Sequence, residues 1–292
     1  MYLTADDFHH QMGGDVAVPD KDWSYKIVGK QERDDILIDL IRRYEERDFS
    51  KVTGDKSRWE KGWNENLEMA KKNGLMGLEP AFIRSNQVLR LNSNFIYAAR
   101  PTFERDWYEV FRNYLFQTYL KGHEHIFEFG CGSGFNISLL SDIFPDSHIT
   151  GLDWVQPSVD ILTWMNKPNI KGRLFDFFAP DYSLDIPSNS AVLTIGAMEQ
   201  TGKNHVQFLA FLLDKKPSIV VHSEPIVEWY SADNLVDVMA AKIHRARNFW
   251  QGYLGELYRL RDAGRIEIIK EHRTGFGSLL LEGYSQLIWR PL

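Results

Sequence analysis

The chain has little with which to staple, anchor or charge itself. It holds one cysteine, Cys131, in 292 residues, which excludes an intrachain disulfide and a zinc cage of several thiolates. No apolar run approaches the roughly 20 residues that a membrane-spanning helix needs. The opening MYLTADDFHHQMGGD lacks the apolar core of a secretory signal, so the expectations are a cytoplasmic location and no membrane partner. Positive charge is not in excess either. Thirty-four Lys and Arg against 40 Asp and Glu leave a formal charge of −6, which argues against a phosphate-binding face and a nucleic-acid partner. What the chain does have is rings: aromatics reach 13%, nine of them Trp, enough for a ring-rich core or a pocket for a small molecule.

The pattern changes near residue 121. Before it, helical periodicity dominates. Ile36, Leu37, Leu40, Ile41 and Tyr44 share one helical face, as do Trp59, Trp63 and Leu67, and then Trp107, Phe111, Tyr114 and Leu115. Residues 89–101 read as extended or irregular. After residue 123, short apolar runs alternate with helical stretches: HIFEFG, HITGLD, IKGRLFD, AVLTIGAM and SIVVHSEP are strands, followed by a mostly helical stretch to Ala263 and two closing strands, RIEIIKEHR and GYSQLIWRPL. Such alternation predicts an α/β fold, a mostly parallel sheet with helices on both faces, and ligands beyond the carboxyl ends of its strands. We therefore expect a mainly helical N-terminal cap over 1–120 and an α/β domain over 121–292, with a helical insertion at about 226–263.

One turn carries the chemistry. Glu128-Phe129-Gly130-Cys131-Gly132-Ser133-Gly134 follows a strand and opens an amphipathic helix. Glycines there permit positive φ and a close approach of ligand to backbone, and the next strand ends in Asp153, a carboxylate able to hold ribose hydroxyls. The spacing is G-x-G-x-G, not the dinucleotide fingerprint G-x-G-x-x-G. The acid Glu128 would repel a pyrophosphate and suit a cationic sulfonium. In this ordered set the sequence resembles the class I S-adenosylmethionine-dependent methyltransferases over residues 123–292. The resemblance implies a Rossmann-like seven-stranded sheet with an antiparallel last strand, and S-adenosylmethionine as cofactor with S-adenosylhomocysteine as product. It implies a binding set of Glu128, Gly130, Cys131, Gly132, Gly134, Asp153, Trp154, Asp176, Phe177 and Gly196. Asp153 would meet the ribose, Asp176 the adenine amino group, and Phe177 the adenine face.

The acceptor is expected beyond the fourth strand of that sheet, within IGAMEQTG. The N/D-P-P-Y/F sequence of amino-methylating relatives is absent there, and the sole thiol is in the cofactor turn, which disfavours adenine or glutamine N-methylation and pyrimidine C5-methylation. Glu199 is the first candidate for a general base, and Gln200 for an acceptor contact. His222 and Glu224, alternating onto one side of the fifth strand, are the second catalytic pair. A divalent metal held by Glu199, His222 and Glu224 is set behind the metal-free reading. His244 and Arg247, in a basic cluster with Lys242 and Arg245, and Tyr97 and Arg100 in the cap, are candidate substrate contacts, whereas Trp59 and Trp63 are read as core. The expectation is methyl transfer to a hydroxyl of a small polar acceptor, such as a sugar or a biosynthetic intermediate, by a chain that is compatible with a homodimer. The competing readings are a protein or RNA methyltransferase, and a cofactor-binding regulatory protein without activity.

Overall fold

The computed structural model describes residues 1–46 and 55–292. Its first elements are α1 (Ala5–Met12), β1 (Tyr25–Ile27), α2 (Lys30–Glu46), α3 (Lys56–Asn73), β2 (Leu89–Leu91), β3 (Asn94–Ala98) and α4 (Phe103–Tyr119). The α/β part runs β4 (His125–Phe129), α5 (Phe135–Ile143), β5 (His148–Asp153), α6 (Gln156–Met165), β6 (Ile170–Leu174), β7 (Ser190–Ile195), α7 (Val206–Lys215) and β8 (Ile219–Glu224). Then follow α8 (Leu235–Ala246), α9 (Tyr253–Asp262), β9 (Ile266–His272), β10 (Phe276–Ser278) and β11 (Ser285–Pro291).

Seven strands form the central sheet in the order β6-β5-β4-β7-β8-β11-β9. The five from β4 to β8 are parallel, and β11 runs antiparallel between β8 and β9. This is the expected Rossmann-like arrangement with its antiparallel last strand. Burial explains the strand sequences. β7 and β8 lie inside the sheet under helices on both faces and are almost continuously apolar or buried, whereas β9, at the edge, alternates buried and exposed. Within β4, Ile126 joins one hydrophobic cluster with α4 and α5, while Phe127 and Phe129 join the opposite one with α7 and α9. From β4 the chain lays β5 and β6 on one side, then crosses to β7 and β8 on the other. The strand order therefore reverses at β4, and the crevice between the ends of β4 and β7 is where such sheets take ligands.

The N-terminal part, expected as a mainly helical cap, holds strands beside its four helices. Asn92 and Ser93 both adopt positive φ, 47° and 60°, the conformation of a tight hairpin turn, so the segment read as extended or irregular is the β2–β3 hairpin. It belongs to a small antiparallel sheet in the order β1-β3-β2-β10, whose last strand comes from the far end of the chain. Nor is residue 120 a boundary in the packing. Phe8, Trp107 and Phe111 share one core with Ile126, Ile149 and Ile288, and Gln286 donates to the Met12 carbonyl at 3.0 Å. The insertion likewise divides: α8 packs Val236 and Met239 against Leu37 and Leu40 of α2, while α9 packs on the central sheet. Among the described residues, no helix is long and apolar enough to cross a membrane.

Candidate active site

At the reversal point the backbone turns sharply. Gly130 has φ 76° and Gly132 φ 53°. A Cβ on Gly130 would stand 2.3 Å from Ala197 Cβ, so the ends of β4 and β7 meet more closely than a side chain permits. The Gly130 and Cys131 N–H groups both donate to the Leu152 carbonyl, at 2.7 and 3.0 Å, which ties the turn to the neighbouring strand. Asp153 ends that strand. Its Oδ2 accepts from Gly132 N–H at 2.9 Å and its Oδ1 from Val155 N–H at 3.3 Å. Burial raises the Asp153 carboxyl to about 6, with the bonds from Gly132 and Val155 pulling the other way. A donor that a pyrophosphate would use is thus already held by a carboxylate.

A cavity of about 60 Å³ opens at these strand ends, lined by Gly130, Asp153, Trp154, Phe177, Gly196 and Gln200, with Trp59 and Trp63 of α3 on its other side. β4, β5, β7 and the loop after β6 all contribute to it, as the topology requires. The rings of Trp59 and Trp63 stack with centroids 5.5 Å apart. Trp63 lies so close over the turn that a Cβ on Gly132 would be 2.8 Å from its ring. The core reading of these two tryptophans is therefore corrected in part. Trp63 packs on the cluster of Leu67, Ala70, Leu78 and Ile161, but both rings are half-buried and also face the cleft, and among the described residues Trp59 Nε1 is enclosed without a partner. Helical spacing is the same for a ring turned to the core and one turned to a cleft, so periodicity alone does not separate the two.

Three members of the expected cofactor set serve the turn from behind. The Cys131 thiol is buried, and burial raises its pKa. A Cβ on Gly134 would meet Met165 and Leu162 at 2.6 and 2.9 Å, so this glycine allows α5 and α6 to close on each other. Glu128 is 1% exposed. Its Oε1 accepts from Asn136 Nδ2 at 2.7 Å, its Oε2 has no partner, and burial raises its carboxyl to about 8. A largely neutral, enclosed acid does not repel a pyrophosphate, so that discrimination passes from Glu128 to Asp153. Sequence reasoning missed the residues that enclose Glu128. Tyr108 Oη donates to Asn136 Oδ1 at 3.0 Å, and Arg112 donates to the Phe135 carbonyl at 3.1 Å while stacking on its ring. The aromatic and cationic positions of α4 were the available signal. Asp176 does not line the cavity; its carboxylate accepts from Phe178 N–H at 2.8 Å.

On the β7–β8 side the expected catalytic residues turn inward. His222 is fully buried, with Nδ1 2.8 Å from Thr194 Oγ1 and Nε2 2.9 Å from Tyr253 Oη, and burial lowers its pKa to about 3. With both nitrogens engaged it is a neutral interior histidine, which corrects its reading as a base. Glu224 is also fully buried: Oε1 accepts from Ala197 and Met198 N–H at 3.0 and 3.1 Å, and Oε2 from Glu199 N–H at 3.2 Å. It holds the loop after β7 in place, a positioning role. Glu199 is partly buried. Burial and then the Glu224 charge raise its carboxyl to about 8, and Gln200 Nε2 donates to its Oε1 at 2.8 Å. Among the described residues no group of three His, Cys, Asp or Glu is placed to hold a metal ion.

The remaining substrate candidates scatter. His244 is buried, with Nε2 2.6 Å from the Trp250 carbonyl. Arg247 Nε donates to Tyr44 Oη at 2.8 Å, and its charge lowers the Glu199 pKa. Tyr97 and Arg100 do come together, but in a separate cavity beside α4.

No family model matches the chain, and no curated protein matches it. Among solved structures it is similar to the N-methyltransferase NodS from Bradyrhizobium japonicum, at 10% identity and TM-score 0.48 over 66% of this chain and 89% of that one. It is similar to human N-acetylserotonin methyltransferase, at 14% identity and TM-score 0.46 over 89% and 67%. A third is an O-methyltransferase of neocarzinostatin biosynthesis, at 15% identity and TM-score 0.42 over 66% of this chain, which spans 58% of that one.

Proposed function

We propose that the chain transfers a methyl group from S-adenosylmethionine to a hydroxyl of a small polar acceptor, as its resemblance to the class I methyltransferases implied. The observation that carries this reading is the cleft at the sheet's reversal point. Its walls combine the glycine turn, Asp153, Trp154 and Phe177 with the loop after β7, while the Gly132 N–H is already committed to Asp153. Those residues suit an adenosyl group with an apolar, ring-lined face better than a dinucleotide pyrophosphate. When bound, the cofactor supplies a methyl group activated by positive sulfur. The protein's share of the work is positioning, exclusion of water and removal of the hydroxyl proton.

In this reading Asp153 orients the ribose, and Trp154 and Phe177 cover the adenine. The loop held by Glu224 presents Gln200 to the cleft. Glu199 does not itself line the cavity but is tied to Gln200, which does, and is the base candidate. A carboxyl raised to about 8 is mostly protonated at neutral pH, so turnover should climb as pH rises toward 8. Calorimetry tests the reading. S-adenosylhomocysteine should bind and NAD should not, and binding of NAD alone would overturn it. With the cofactor bound, Glu199→Gln should leave affinity unchanged and slow turnover by about 10²–10⁴-fold; full activity would remove Glu199 as base.

A further inference from the structure

A second cleft lies between the β2–β3 hairpin and the start of α4, and it shares no lining residue with the cofactor cleft. Its volume is about 130 Å³, and its walls include Glu104, Gln87, Asn86, Tyr97, Arg84 and Arg100. Along α4, Glu104 and Arg112 are eight residues apart, about 12 Å at the helical rise, and Arg112 is the residue that reaches Phe135 beside the glycine turn.

Glu104 is the unusual member. An acid in the first turn of a helix is favoured by the helix dipole, but that effect asks only for an exposed carboxylate. Glu104 is instead 2% exposed, and its Oε1 has no hydrogen-bond partner of ordinary geometry, with only the Arg84 backbone N–H near enough to lower the carboxyl pKa. Its Oε2 accepts from the Gln87 amide. Leaving a buried acceptor unpaired is costly, and a native fold tolerates that where a ligand completes the bond. The loop opposite is strained as well. Asn86 sits at φ 59°, a left-handed conformation of the kind that gathers at binding sites. Tyr97 forms a fixed aromatic wall, because its hydroxyl donates to Glu32 at 2.9 Å. Arg100 is held at the rim by Asp106, 3.0 Å away.

The charges select the ligand. Two guanidinium groups among the walls disfavour a cation, and the carboxyl of Glu104 disfavours an anion. Amides, a carboxyl and guanidinium groups around one aromatic face offer donors and acceptors to a neutral ring bearing several hydroxyls. We propose that this cleft is a carbohydrate-binding site, in which a sugar hydroxyl donates to Glu104 Oε1 and the sugar ring packs on Tyr97. To do so its volume of about 130 Å³ must widen at the exposed Asn86 loop, which uncovers the enclosed Glu104 Oε1. The proposal does not depend on the methyl-donor reading, since the two clefts are separate.

Saturation-transfer NMR on the full chain with free D-glucose, D-galactose, D-mannose and L-rhamnose, with adenine as a planar control, tests it. At least one hexose should receive transfer. That transfer should fall about tenfold in Glu104→Met and in the partly exposed Tyr97→Ala, and persist in Trp63→Ala. Without sugar, Glu104→Met should raise the thermal midpoint, because it removes the unpaired acceptor. Absence of transfer to every hexose, transfer to adenine alone, transfer unchanged in both variants, or a lowered midpoint for Glu104→Met would each overturn it.

Discussion

The ends of β4 and β5 and the ends of β7 and β8 are neighbours in one sheet, yet they build a site by opposite means. On the first side the backbone does the work: positive-φ glycines, a carboxylate holding an N–H, and rings laid across the opening. On the second, buried side chains do it, and most of them face inward to hold a loop. Glu224 gathers three N–H groups of that loop, and His222 is sealed among Thr194, Tyr253 and Trp250. A position at a strand's carboxyl end is therefore close to the chemistry without being part of it. It is the loop it supports that lines the cleft.

The largest effect should come from the backbone side. Gly130→Val places a side chain 2.3 Å from Ala197 at a φ that β-branched residues avoid. It should destabilise the fold by about 3 kcal/mol or more and abolish cofactor binding. Gly196→Ala, across the cleft, has φ 60° but meets nothing within 4 Å. It should cost only about 1 kcal/mol. Urea unfolding of the two variants measures the contrast, and equal losses would mean that close approach is not what the turn requires.

On the side-chain side, Glu224→Gln replaces a carboxylate that serves three donors with an amide whose NH₂ opposes them. It should cost about 2–3 kcal/mol and, because the loop presents Gln200, weaken acceptor binding more than cofactor binding. His222→Gln should leave turnover and its acid pH limb unchanged, because both His222 nitrogens are already engaged inside the fold. A lost or shifted acid limb would restore it as a base.

These differences mark what was legible beforehand. The mostly parallel sheet followed from alternation and the turn from glycine spacing, because these are properties of the backbone path; the antiparallel last strand came from the family resemblance. Asp153, Trp154, Phe177 and Gly196, expected at the cofactor, and Gln200, expected at the acceptor, all line one cleft. The direction of a side chain at a strand end was not legible. Alternation put His222 and Glu224 on one side of β8, but whether that side meets solvent, loop or core depends on α9 and on the loop after β7, which arrive from distant sequence. The Trp59–Trp63 pair misled for the same reason, and β10 joined the small N-terminal sheet across some 180 residues.

A smaller, distributed effect should appear with pH. Burial raises Glu128 and Glu199 to about 8, Glu104 and Glu224 to about 7, and Asp153 to about 6. Each binds its proton more tightly folded than unfolded. Their contribution to stability is therefore fully present below the ordinary carboxyl range and is lost as pH rises through 6 to 8. His222, lowered to about 3, acts oppositely: its contribution is present above its ordinary value and is lost as pH falls. Urea midpoints should thus decline from pH 6 to pH 9. Glu199→Gln should flatten that decline, and His222→Gln should affect only the acid limb. A midpoint that rises toward pH 9 would contradict this balance of buried acids.

The smallest effect, and the most discriminating, concerns Trp63. The cavity beside the glycine turn is about 60 Å³, whereas pockets that enclose small ligands run from roughly 300 Å³ upward. An adenosyl group therefore requires the ring over Gly132 to move. Displacing Trp63 gives up its packing on Leu67 and Ile161 and its stack on Trp59, and Trp63→Ala should remove that cost. The variant should associate with S-adenosylhomocysteine several-fold faster, with little change in dissociation, by stopped-flow fluorescence. An unchanged association rate with faster dissociation would instead make Trp63 a wall of the bound state. In that case the ring-lined side of the cleft, like the β7–β8 side, would work through its side chains, and the contrast between the two halves of the site would narrow to the glycine turn alone.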